Sequence, residues 1–231
     1  MARLARVVVP GCPHHVLQRG NRKENVFGDD SDRLVYLRLM RDAYEFHRVL
    51  VWAYTLMDNH VHHIAVPASE DSLGRAIKET HGEYTSYVNT KYGLVGHAWQ
   101  GRFKSFPMEE PHCWNAMRYV ERNPVRAAMV ERAEDYAWSS AAAHCGLRDD
   151  LLLSQDCPLV KEIKNWSDWL KIENAKAVED LIRLHTRTGR PLGSKIFIGG
   201  IELQTGRKLL PQKRGPRSGD REPPTTGTLF G

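Results

Sequence analysis

An α+β fold is predicted by three observations in the 231-residue sequence. β-branched and aromatic runs flank Asp58-Asn59, long segments with helical apolar spacing follow capping residues near Asp29 and Ser69, and strand-like and helix-like segments alternate. Val, Ile, Tyr and Trp suit a pleated surface, whereas apolar residues three and four apart mark one face of a helix.

In chain order, residues 6–9 and 14–19 read as an opening strand interrupted by the Pro10-Gly11 turn signal, and Arg19-Gly20-Asn21-Arg22-Lys23 follows as a basic loop. Asp29-Asp30-Ser31-Asp32 offers N-caps for a helix reaching about Arg48, with Leu34, Leu37, Met40, Ala43 and Tyr44 among its apolar positions. Residues 51–56 and 61–66 then form a hairpin, and residues 69–72 cap a second helix over about 73–92 that stops at Gly93. Residues 102–108 supply another strand. The order is that of a ferredoxin-like βαββαβ arrangement, with an antiparallel sheet and helices on one face.

Pro111 opens a third helix carrying Trp114, Met117, Tyr119 and Val120, and Pro124 bends or breaks it near Asn123, because a residue before proline is biased out of the α region. Residues 135–140 cap a short helix over 141–145. The main domain is expected to span residues 1–148, and a helical, basic C-terminal extension spans 149–212. The extension has helices over 158–170, 175–185 and 195–204. The last two, across the Thr188–Ser194 turn, form either a helix-turn-helix reader or a packing appendage. From Lys213 the composition, Arg-Gly-Pro-Arg-Ser-Gly-Asp-Arg-Glu-Pro-Pro, cannot bury apolar area, and residues 213–231 are expected to be disordered.

Composition narrows the function. Apolar residues make up 41% of the chain and no apolar run reaches eighteen residues, so no bilayer span is expected. The N-terminus carries no signal-peptide pattern, which places the protein in the cytoplasm. Cys12, Cys113, Cys145 and Cys157 lack paired spacing and read as reduced, structural thiols. The net charge of +5 is unevenly spread: residues 183–221 hold ten Lys or Arg, Arg187 and Arg190 among them, against Glu202 and Asp220. Such a bias suits a polyanion such as nucleic acid, with a solvated basic tail as the plain alternative.

The chemistry centres on the hairpin. In a strand His60 and His62 point to one face and His63 to the other, so the first two can converge on one ligand. Tyr119 and Asn123 are one helical turn apart. If their face meets the hairpin, Asn123 offers an amide oxygen as a third ligand and Tyr119 a phenol beside a metal. This ligand set leaves the metal open: imidazole tolerates zinc, nickel and manganese, while an amide oxygen with phosphate suits magnesium or manganese. Trp99, Phe103, Arg102 and Lys104 mix aromatic and cationic groups, as a single-strand groove requires, although core packing explains Trp99 and Phe103 equally well.

Four segments in order, Leu56-Met57-Asp58-Asn59-His60-Val61-His62, residues 96–105 (GHAWQGRFKS), residues 118–127 (RYVERNPVRA) and Tyr136-Ala137-Trp138-Ser139-Ser140, resemble the REP-associated tyrosine transposases. These are relatives of the insertion sequence 200 type transposases within the HUH (His, hydrophobic residue, His) single-tyrosine nucleases. The resemblance covers about residues 5–145, and Thr188-Gly189-Arg190-Pro191-Leu192-Gly193 is similar to the extension of many members. It implies a metal-dependent single-strand DNA endonuclease and strand transferase. His60, His62 and Asn123 would hold Mg²⁺ or Mn²⁺, and Tyr119 would be the nucleophile that forms a 5′-phosphotyrosine. It also implies that Arg19, Arg22, Lys23, Trp99, Arg102, Lys104, Arg187 and Arg190 contact single-stranded DNA and a REP-like hairpin, the protein acting as a monomer or homodimer. A non-catalytic hairpin-binding protein with the same fold is the alternative. A hydrolase using water in place of Tyr119 is a third. His63 stands where such proteins often have an apolar residue.

Overall fold

The computed structural model describes residues 5–210. The expected tail over 213–231 lies outside them.

The elements follow the order β1 (His14–Arg19), α1 (Asp30–Phe46), β2 (Val49–Met57), β3 (His60–Pro67), α2 (Ser72–Tyr92), β4 (Lys104–Pro107) and α3 (Glu110–Glu121). The four strands form one sheet in the order β2-β3-β1-β4, antiparallel at every pairing. This is the expected βαββαβ arrangement. Residues 6–9 do not join the sheet: Val7 and Val9 are buried instead against Ile201 and Leu209. Their β-branched character answered burial rather than strand pairing.

Strand alternation divides the side chains between two cores. Val16, Tyr54, Val61 and Ala65 face Tyr36, Met40 and Tyr44 of α1 and Leu73, Ile77 and Tyr84 of α2, so α1 and α2 share one face of the sheet as expected. Ala53, Ile64 and Phe106 face the other way, onto Cys113, Met117 and Val120 of α3. The opposite face is therefore covered too, by the helix that carries Tyr119.

Helix boundaries follow their caps. Asp29 and Asp32 form a reciprocal capping box on α1, and Gly93 ends α2 in the left-handed conformation at φ 64°. Arg122 breaks the helical path after α3, and Asn123 and Pro124 start a separate short helix, α4 (Asn123–Arg126). The bend falls where Pro124 predicts it.

Beyond α5 (Ala141–His144) the chain forms α6 (Pro158–Glu162), α7 (Trp166–Lys171), α8 (Lys176–Thr188) and α9 (Lys195–Thr205). The single helix expected over 158–170 is split because the Asn165 side chain accepts from Asp168 N and starts a new one. Residues from both sides of position 148 share one core: Leu159, Trp166, Leu170, Ile182 and Leu192 pack with Met117 and Val120. A buried carboxylate pins that junction. Glu121 accepts from Ser140 Oγ (2.5 Å), His144 Nδ1 (2.6 Å) and Trp166 Nε1 (2.7 Å).

The Tyr136–Ser140 segment lies along the outer edge of β2 before α5 begins. Leu56 N donates to Trp138 O (2.8 Å), Ser140 N donates to Tyr54 O (3.0 Å), and farther along Ser154 N donates to Val51 O (2.9 Å). Among the described residues, no helix is long and apolar enough to cross a membrane.

Candidate active site

Antiparallel pairing of β1 with β3 sets Leu17 opposite His62 and Arg19 opposite His60. Paired residues project to the same face, so His15, Arg19, His60 and His62 gather on the α3 side of the sheet. The two-residue Asp58-Asn59 turn is held from outside: Val26 N donates to Asp58 O (2.7 Å) and Gly20 N to Asn59 O (2.9 Å). A Cβ on Gly20 would lie 2.4 Å from Glu24 O, so only glycine lets the basic loop pass this close.

The His60 and His62 rings lie 5.0 Å apart, centroid to centroid, and His62 lies 6.0 Å from the Tyr119 ring. His60, His62, Tyr119 and Asn123 all line one cleft of about 520 Å³. Tyr119 is 7% exposed and Asn123 6%, so both line the cleft while largely buried. Tyr119 and Asn123, one turn apart in the sequence, meet at the same cleft with the break at Arg122 between them.

Each imidazole has one nitrogen already committed. His60 Nδ1 lies 2.6 Å from Asn59 Oδ1, and His62 Nδ1 lies 2.9 Å from His15 Nε2. Burial, helped by Arg19 and Arg126, holds His60 down at about 4; burial with its charged neighbours pushes His62 well below the ordinary value. Both rings are neutral at physiological pH and keep a second nitrogen for a ligand. Asn123 Oδ1 accepts from Arg126 Nη2 (2.8 Å), which fixes the amide orientation and leaves one oxygen lone pair, while Asn123 Nδ2 is buried without a partner. Two imidazoles and an amide oxygen thus suit a divalent cation. Among the described residues there is no group of three or more His, Cys, Asp or Glu side chains placed to hold one.

Two arginines that the spacing did not single out complete the surroundings of Tyr119. The Arg126 guanidinium lies over the Tyr119 ring at 4.0 Å and donates to Tyr119 O (3.1 Å). Arg183, on α8, lines the same cleft. Burial pulls Arg183 down, but the Tyr119 phenol and acidic neighbours outweigh it and raise its affinity for the proton. A signal existed for Arg126, which lies seven residues after Tyr119 in the same stretch, but not for Arg183.

The expected DNA-contacting residues separate into two groups. Arg19, Lys23, Arg102, Lys104 and Arg187 line the cleft. Gln100 N donates to Arg19 O and Asn21 N to Ala98 O, both at 2.8 Å, which joins the two basic loops into one wall. Arg22 lies outside the lining. Arg190 donates to Leu209 O and is tied up within the extension. Trp99 is corrected from stacking surface to core: it is 8% exposed, packs with Tyr36 and Tyr84, and has one face covered by His81, whose ring lies 4.2 Å away at 19°. His63 points to the opposite face of the sheet, where Tyr44 OH lies 3.0 Å from its Nδ1. It is not a third imidazole of the cleft.

A search of curated proteins gives no match. One solved structure, a REP-associated tyrosine transposase bound to a REP hairpin, aligns with TM-score 0.55 at 17% identity, over 68% of this chain and 93% of that one, and so shares the fold. A candidate transposase from Deinococcus radiodurans aligns at 14% identity over 52% of this chain and 97% of its own. Its TM-score of 0.37 adds nothing to the fold assignment. The family model for IS200-like transposases matches residues 8–123, from the segment before β1 to Asn123 at the cleft. The chain belongs to the IS200-like transposase family.

Proposed function

We propose that this chain is a metal-dependent single-strand DNA endonuclease and strand transferase that cuts beside REP-like hairpins through a 5′-phosphotyrosine intermediate. The observation that carries this reading is the opening of Tyr119 onto the same basic cleft as His60 and His62. The hairpin as substrate is supported by the hairpin-bound relative with the same fold.

The Tyr119 oxygen attacks the scissile phosphorus. A phosphorus–oxygen bond to Tyr119 forms, the bond to the 3′ oxygen breaks, and that oxygen leaves as a 3′-OH after gaining a proton. The phosphodiester is conserved in the protein linkage, so a later 3′-OH can attack it and release Tyr119 with the strands rejoined. Arg126 over the Tyr119 ring and Arg183 in the cleft bring positive charge to the nucleophile and to the phosphate that it attacks. His60, His62 and the spare lone pair of Asn123 would hold Mg²⁺ or Mn²⁺, which when bound supplies Lewis-acid polarisation of the scissile phosphate. Arg19, Lys23, Arg102, Lys104 and Arg187 neutralise the strand that enters the cleft.

The test is incubation with a labelled hairpin carrying single-stranded flanks and Mn²⁺, followed by a denaturing gel. The expected result is a covalent adduct that Tyr119→Phe abolishes while hairpin binding persists. Binding by the wild type without an adduct would establish a hairpin-binding protein instead. Cleavage without an adduct, unchanged in Tyr119→Phe, would establish a hydrolase.

A further inference from the structure

We infer that Thr186, on α8 of the extension, sets the proton position on His62 through His15, and so leaves His62 Nε2 bare to accept a cation. This rests on the proposed reading of His62 as a metal-holding residue. Thr186 lies outside the residues 8–123 matched to the family, and it acts as a positioning residue rather than as a ligand.

The argument is a count of protons along a buried line. The Thr186 hydroxyl has one proton and donates it to Ile182 O at 2.8 Å. His15 Nδ1 lies 3.2 Å from that same hydroxyl oxygen. With the hydroxyl proton committed to the shorter contact, His15 Nδ1 must be the donor. His15 is fully buried, and its ring meets His62, Phe106, Tyr119 and Thr186 rather than a carboxylate that could hold a second proton, so it is a neutral imidazole with one N–H. Its Nε2 is therefore an acceptor. His62 Nδ1, 2.9 Å away, must then carry the proton, and the neutral His62 ring is left with Nε2 as a lone pair.

His60 arrives at the same state independently. Asn59 Oδ1 only accepts, so His60 Nδ1 donates to it and His60 Nε2 is bare. The two imidazoles present matching nitrogens only when the line runs from His62 to Ile182. With the Thr186 proton turned toward His15, every proton shifts along the line and His62 Nε2 is protonated, unable to ligate. Outer partners of this kind orient ligating histidines and fix their tautomer.

The experiment uses the full chain with ¹⁵N-labelled histidine and no metal, read by long-range ¹H–¹⁵N spectra, alongside calorimetric titration with Mn²⁺. Wild type, Thr186→Val and Thr186→Ser are compared, with circular dichroism as the check on folding. The expected wild-type spectrum shows the His62 proton on Nδ1. In Thr186→Val it moves to Nε2 and Mn²⁺ affinity falls about tenfold or more, whereas Thr186→Ser behaves as the wild type. A wild-type His62 protonated on Nε2 overturns the inference even if Thr186→Val does not fold. So does a folded Thr186→Val with unchanged tautomer and affinity. If the tautomer moves as expected but wild type binds no Mn²⁺, the relay stands and the metal reading fails.

Discussion

The Arg126 guanidinium lies 4.0 Å above the Tyr119 ring and bonds both the Tyr119 carbonyl and the Asn123 amide oxygen. One cation thereby contacts the proposed nucleophile and steadies the expected third ligand. Lysine can supply the charge but not the planar, forked contact. Arg126→Lys is expected to slow adduct formation about tenfold, the size of a cation–π and charge-assisted contact worth roughly 1–2 kcal/mol. Adduct kinetics at fixed pH provide the measurement, and an unchanged rate would contradict this role for Arg126.

Cleft and non-cleft arginines should differ in salt dependence. Arg187 lines the cleft, whereas Arg190 is tied to Leu209 O. Each phosphate contact to a single strand contributes about 0.7 to the slope of log affinity against log salt. Arg187→Ala is expected to reduce the slope by about that amount and Arg190→Ala to leave it unchanged. Fluorescence anisotropy over a salt series reads both, and equal slopes for the two variants contradict the division.

Glu121 is wholly buried, with its oxygens shared among Ser140, His144 and Trp166. Glu121→Ala leaves those partners unsatisfied in the core and is expected to cost about 3–5 kcal/mol. Trp166→Phe removes a single donor and should cost about 1–3 kcal/mol, chiefly through the carboxylate oxygen left unpaired. Urea unfolding checks both. A Glu121→Ala midpoint close to wild type rules out this junction as a keystone of the core.

Acid should destabilise the fold earlier than carboxylate protonation alone requires. His14 accepts from Val9 N through Nε2 (3.1 Å) and uses Nδ1 toward Cys12 O (2.7 Å), and burial holds it down at about 4. Burial, reinforced by His63, holds His81 down at about 3. A histidine whose folded pKa is depressed keeps its full stability above the unfolded value near ~6.5 and loses it as pH falls toward the folded value. The expected loss at pH 5 is roughly 2 kcal/mol for each such histidine. Thermal melts between pH 7 and 5 measure it, and a flat midpoint over that window is the contrary result.

Much of the site was legible because it obeys short periods. Two-residue alternation in β3 separates His60 and His62 from His63, and a one-turn spacing relates Tyr119 to Asn123. The break at Pro124 was legible for the same reason, since proline acts on the residue before it. What could not be read depends on docking between distant segments. Trp99 fits a stacking groove or a core equally well until α2 brings His81 against its ring. Arg183 and Thr186 lie more than sixty residues after Tyr119 and reach the cleft only because Ile182 packs into the α3 core. His15 was hidden in a strand whose partner had to be known before its face could be assigned.

The covered edge of β2 has a bearing on assembly. Leu56 N, Tyr54 O and Val51 O, which would template another strand, are already bonded to Trp138, Ser140 and Ser154 of the same chain. At the far side of the sheet, the end of β4 is met by Leu192, whose N donates to Pro107 O (2.9 Å). A second copy therefore cannot add a strand along this part of β2 without displacing those bonds.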